Sequence, residues 1–108
     1  MKKVQKISCV NNAAFSMNFS IRWLDEEGRW NTSEWNSGNY PINKSRTSPD
    51  LSSIGIPDDA LMLTPYIHAI LGKHENGEPM VQYDSSNDAI AVYEVKGTTL
   101  DFRVKLIE

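Results

Sequence analysis

The sequence predicts an all-β fold, an antiparallel β-sandwich of about seven to eight short strands, with a small β-barrel as second choice. Three observations predict it. In residues 15–23, Phe15, Met17, Phe19, Ile21 and Trp23 alternate with Ser16, Asn18, Ser20 and Arg22. A period of two gives a strand one apolar and one polar face. Near the C-terminus, Leu100, Phe102, Val104 and Leu106 alternate in the same way with Asp101, Arg103 and Lys105. Turn-forming clusters separate such runs at roughly the 8–12-residue spacing of sandwich domains. A strand with one oily face must cover it, and stacked sheets do so.

The elements follow in order. Residues 15–23 are a half-buried strand with Trp23 in the core. Asp25-Glu26-Glu27-Gly28 is a turn, and residues 29–36 return as the second strand of a hairpin. Trp30, Thr32 and Glu34 share one face of that strand, Asn31, Ser33 and Trp35 the other. So polar a strand suits a sheet edge. Residues 37–59 are rich in Ser, Asn, Gly, Pro and Asp and read as a long connection with short extended pieces at Tyr40–Ile42 and Leu51–Ile54.

Residues 60–71 are ambiguous. Pro57-Asp58-Asp59 suits a helix start, but Pro65 would fall inside the helix at a cost of about 3 kcal/mol. A strand with Pro65 at an edge or bulge avoids this and is preferred. Lys73–Glu78 reads as a loop, Met80–Tyr83 as a short strand and Asp84–Asp88 as a turn-rich loop. Residues 89–95 carry apolar side chains on both faces, as a doubly covered central strand does. Lys96-Gly97 is a tight turn before the last strand.

Bulk composition narrows the class. The 108 residues make one domain spanning 1–108, and 40% hydrophobic content argues against disorder. Eleven basic and fourteen acidic residues leave a net charge of −3, which argues against a nucleic-acid partner. The charge is uneven: residues 1–54 carry seven Lys/Arg and five Asp/Glu, residues 55–108 four and nine. Cys9 is the single cysteine, so no internal disulfide can form, and its apolar surroundings suit a buried thiol. No apolar region follows Met1-Lys2-Lys3, and no run of about 18 apolar residues exists to span a membrane. The expectation is a cytoplasmic protein, or one secreted without a recognisable signal peptide. The Asn-x-Ser triplets at Asn18, Asn31 and Asn43 are then chance matches.

Catalytic patterns are missing: there is no nucleophile elbow, phosphate-cradling glycine loop, dinucleotide fingerprint or zinc-protease helix. His68 and His74, on one strand, would lie roughly 20 Å apart, too far to share a metal. His68 then reads as structural and His74 as an exposed loop residue. Asp84-Ser85-Ser86-Asn87-Asp88 reads as an Asx-type turn rather than a calcium loop. Neither an enzyme, a metal site nor a cofactor is expected.

The candidate binding residues are Trp30, Trp35, Asn39 and Tyr40, with Arg46 as an anion contact. Aromatic rings beside amides and carboxylates suit sugar recognition; they equally suit a protein interface or the plugged ends of a core. The expected function is a non-enzymatic binding module for carbohydrate or a cell-surface glycoconjugate. The alternatives are a self-associating structural or assembly protein, a homo-oligomer, and a toxin component in peripheral contact with membrane. Size and strand pattern resemble several families of small β-sandwich lectins, lipid-binding cytolysin-like proteins and interaction domains. That resemblance is one of architecture and assigns no residue a role.

Overall fold

The computed structural model describes all 108 residues. Ten strands run in chain order: β1 (Lys3–Val4), β2 (Lys6–Asn11), β3 (Met17–Leu24), β4 (Trp30–Asn36), β5 (Ser45–Thr47), β6 (Met62–Ala69), β7 (His74–Asn76), β8 (Gln82–Tyr83), β9 (Ile90–Thr98) and β10 (Asp101–Leu106). Two four-stranded sheets, ordered β10-β9-β2-β5 and β4-β3-β6-β7, enclose the core, and a two-stranded piece joins β1 to β8. The predicted sandwich is present, with one addition: β2 runs parallel to β9, and β1 to β8, so the pairing is mixed.

Alternation in β3 sets the core. Met17, Phe19 and Ile21 are fully buried, with Phe15 just before them. Facing them from the other sheet are Ile7, Cys9, Ala91, Tyr93 and Val95. Trp23 lies at the rim rather than in the core: it is half-buried and packs against the cluster's edge. Strand β4 occupies a sheet edge, as its polar sequence predicts.

Several expectations need correction. Leu51–Ile54 is a 3₁₀ turn, capped by the Asp50 carboxylate, which accepts from Ser52 N. The expected extended piece at Tyr40 is present as a single bridge to Met17, and a further one, β5, pairs with β2. Strand β6 is an interior strand, not an edge. Pro65 fits because its carbonyl, on the side away from β3, accepts from Gly77 N just past the end of β7; no ladder bond needs its missing N–H. Buried Thr64 hydrogen-bonds both Gly77 N and Gly77 O there. Strand β9 is central but covered on one face only, since Ile90 is exposed and Val92 half-buried. Gly97 lies within β9, and the turn is Thr99-Leu100. Met80 stays outside the short β8.

Asn11 ties the start of β3 to the rest. Fully buried, it donates through Nδ2 to Phe15 O and Tyr40 O and accepts from Ala13 N. A buried amide with these bonds made is stable; unmade, each would cost on the order of 1–3 kcal/mol. These bonds fix the β2–β3 loop at one end of the sandwich.

Candidate functional site

That end is the most unusual part of the surface. Four connections reach it, the β2–β3 loop, the β4–β5 loop, the β6–β7 turn and the β9–β10 turn, and the first and the last two of these meet. Ala14 N donates to Gly97 O, Ile70 N to Ser16 O and Lys73 N to Thr99 O, at 3.0–3.2 Å. Beneath them Phe15 and Phe102 pack edge to face at 5.0 Å. At Gly72 a Cβ would come within 2.5 Å of Thr99 O, so only glycine lets the two turns approach this closely.

On this built platform stand two leucines. Leu71 is 97% exposed and Leu100 75%. Leu71 also holds φ at 61°, the left-handed region that a leucine rarely enters. The chain thus bears backbone strain to hold an apolar side chain that touches nothing of its own. Sequence reasoning missed both residues. Leu71 looked like the end of an apolar strand, and Leu100 like the first inward residue of the last one; only the turn positions put them outside.

A second feature covers the outer face of the β4-β3-β6-β7 sheet. Arg22 lies over the Trp30 ring at 5.4 Å and the Tyr66 ring at 4.9 Å. Tyr66 stacks on His74, and His74 on His68 at 4.2 Å. Beside this ladder, Asn18 donates to Asn39 Oδ1, and Asn36 donates to Asn18 Oδ1 and Ser20 Oγ.

The sequence-nominated residues are therefore dispersed. Trp30 stands on the outer face, 39% exposed. Asn39 is exposed at its margin. Trp35 turns the other way, half-buried and edge-on to Phe19 at 5.4 Å. Tyr40 is a core residue, 1% exposed, whose hydroxyl donates to Cys9 O. Burial pushes its hydroxyl far above the usual tyrosine range, and its ring is closed to any ligand. The reason is register: Tyr40 bridges to Met17, which points it inward. Arg46 caps that ring from outside at 5.3 Å and donates to Ser37 O, so its charge serves the loop.

No three His, Cys, Asp or Glu side chains gather where they could hold a metal together. Cys9 is buried, and desolvation raises its pKa well above a free thiol's. Asp84 accepts from Ser86 N and Oγ, the Asx-type turn that was expected. A cleft of about 660 Å³ between β7 and β10 is lined by charges of both signs, Lys73, Arg103 and Lys105 among Glu75, Glu78 and Asp101. No helix is long and apolar enough to cross a membrane.

The chain is a β-sandwich with an apolar tip, and solved structures share the sandwich fold. The chain is similar to a Gram-negative toxin, with a TM-score of 0.51 at 15% identity over 95% of this chain and 22% of that one. It is similar to listeriolysin O, with a TM-score of 0.50 at 15% identity over 94% and 22%. The membrane-binding domain of pneumolysin matches over 96% of both chains, with a TM-score of 0.48 at 13% identity. At such identities the likeness is one of fold. This chain spans about a fifth of the length of the first two proteins. No family model and no curated protein matches the sequence.

Proposed function

We propose that this chain is a non-enzymatic membrane-binding module, of the kind a toxin uses to reach a lipid surface, and that it inserts Leu71 and Leu100. The observation that carries the reading is the pair of leucines raised on adjoining turns, one of them in a strained conformation. Strain held without internal packing points to a role outside the chain. Burying a leucine gains roughly 1.5–3 kcal/mol, so two supply on the order of 3–6 kcal/mol toward a lipid surface. Polarity along the long axis agrees. Asp25, Glu26, Glu27, Asp58, Asp59, Asp84 and Asp88 fall in connections at the opposite end, where they outnumber Lys2, Lys3, Lys6 and Arg29. The shared fold of a Gram-negative toxin supports the same reading. A role at a target membrane favours secretion over a cytoplasmic location.

Vesicle co-sedimentation tests it, using mixtures from pure phosphatidylcholine to a total animal-membrane lipid extract. The expected result is sedimentation with at least one mixture, reduced about 100-fold or more in Leu71→Asp/Leu100→Asp, as two lost leucine insertions require. Absence of binding to every mixture, or equal binding by the double variant, ends the reading.

A second reading is carbohydrate recognition on the outer sheet face. It is favoured by the exposed Trp30 ring next to Arg22 and the Asn18–Asn36–Asn39 amides. It narrows the expected set of Trp30, Trp35, Asn39, Tyr40 and Arg46 to Trp30 and Asn39. On a glycan array, Trp30→Ala is expected to lose at least tenfold of any signal, with the leucine variant unaffected. A signal that survives Trp30→Ala counts against this face.

A further inference from the structure

We propose that His68 and His74 form a two-imidazole site for a divalent transition-metal ion, with Cu²⁺ preferred over Zn²⁺. This inference is independent of the membrane and carbohydrate readings. On a single strand the two residues would be far apart, but the chain folds back between them. Strands β6 and β7 are antiparallel, and their register sets His68 directly opposite His74. Directly opposed side chains share one face, with Cβ atoms about 4.5–5.5 Å apart. The rings lie parallel within 4°, their centroids 4.2 Å apart.

The chemistry suits a metal. Imidazole is the commonest protein ligand for zinc and copper, and at a given nitrogen site copper binds more tightly than zinc. A metal–nitrogen bond is about 2.0–2.1 Å, so two bonds at a right angle bring the nitrogens to roughly 3 Å. From a parallel 4.2 Å stack both rings must turn about their side-chain torsions until their in-plane nitrogen lone pairs converge on the ion. The histidine χ2 torsion is broad, and the exposed His74 turns at the cost of its stack on Tyr66. The one polar contact to be released is that of His68 Nδ1 with Asn18 Nδ2, at 3.4 Å a long one.

The neighbouring charges leave the pair available. Arg22, on β3, is separated from the pair by the Tyr66 ring. Glu75, next to His74, is paired with Lys73 at 3.1 Å. No carboxylate forms a salt bridge with either histidine. With two protein ligands, water fills the remaining positions, and binding is weaker than at a three- or four-ligand site. A bound ion would cross-link the hairpin that presents Leu71.

The test is a titration of the whole chain with Zn²⁺ and Cu²⁺ at pH 7.5, read by histidine ring NMR signals and by thermal melting. With Zn²⁺ both histidine signals are expected to move together and saturate at one ion per chain, and Tm to rise. Cu²⁺ should broaden the same two signals at lower concentration. At pH 5.5 protons compete for the imidazole nitrogens and binding should weaken. His68→Asn and His74→Asn should each weaken binding at least tenfold while melting like wild type without metal. Should a variant fail to fold, the paired movement of the wild-type signals decides alone. Signals unmoved at millimolar ion, movement of one histidine only, or undiminished binding by a folded variant overturns the proposal.

Discussion

Gly97→Ala is expected to destabilise the domain by roughly 3–5 kcal/mol, from a strained left-handed conformation and overpacking together. Gly97 sits inside β9 at φ 129°, opposite Phe102. An added Cβ would lie 2.4 Å from Asp101 O and 2.6 Å from Phe102 Cα. Both are backbone atoms of the paired strand and cannot swing aside. Relief requires β9 and β10 to part beside the Gly97 carbonyl that accepts from Ala14 N at the apolar tip. Against a total stability of about 5–15 kcal/mol the loss is severe. It corresponds to a fall in Tm of roughly 12 °C or more for a domain of this size. Thermal denaturation followed by circular dichroism checks it, with exposed Lys96→Ala as the control. A Tm within about 2 °C of wild type would show that the strands absorb the methyl group after all.

Phe19→Ala is expected to cost about 3–5 kcal/mol, the usual range for emptying a buried phenylalanine site. Phe19 is fully buried at the middle of β3. Its ring meets Trp35 edge-on at 5.4 Å and 71°, and Tyr40 at 6.4 Å and 73°. Such aromatic pairs add about 0.5–1.5 kcal/mol each beyond burial. Neighbouring strands are held by ladders on both sides of β3, so collapse into the cavity is limited. The substitution should also loosen Trp35, seen as stronger quenching of tryptophan fluorescence by acrylamide. Urea denaturation giving a loss under about 1 kcal/mol would mean that Phe19 is not the centre of the core.

Both effects bear on how much could be read beforehand. Phe19 was legible because alternation is a local property: a side chain two residues on points to the same face whatever the sheet does. The edge position of β4 was legible from its polarity, since Asn31, Thr32, Glu34 and Asn36 could not line a core. Tyr40 was misread because its surroundings in sequence are polar, whereas its orientation follows from a bridge to Met17, far along the chain. Residues 74–76 looked like loop because three polar residues carry no periodicity, yet they pair with β6.

The sequence by itself determined the β class, the inward set of β3 and β10, the polar edge and the buried Cys9. Each depends on side-chain type and period alone. Tertiary structure decided the parallel pairing of β2 with β9, the turns that turn Leu71 and Leu100 outward, and the stacking of His68 on His74. Those depend on register between distant segments. A strand's alternation says which residues share a face, but not which other strand lies beside them or where the chain turns.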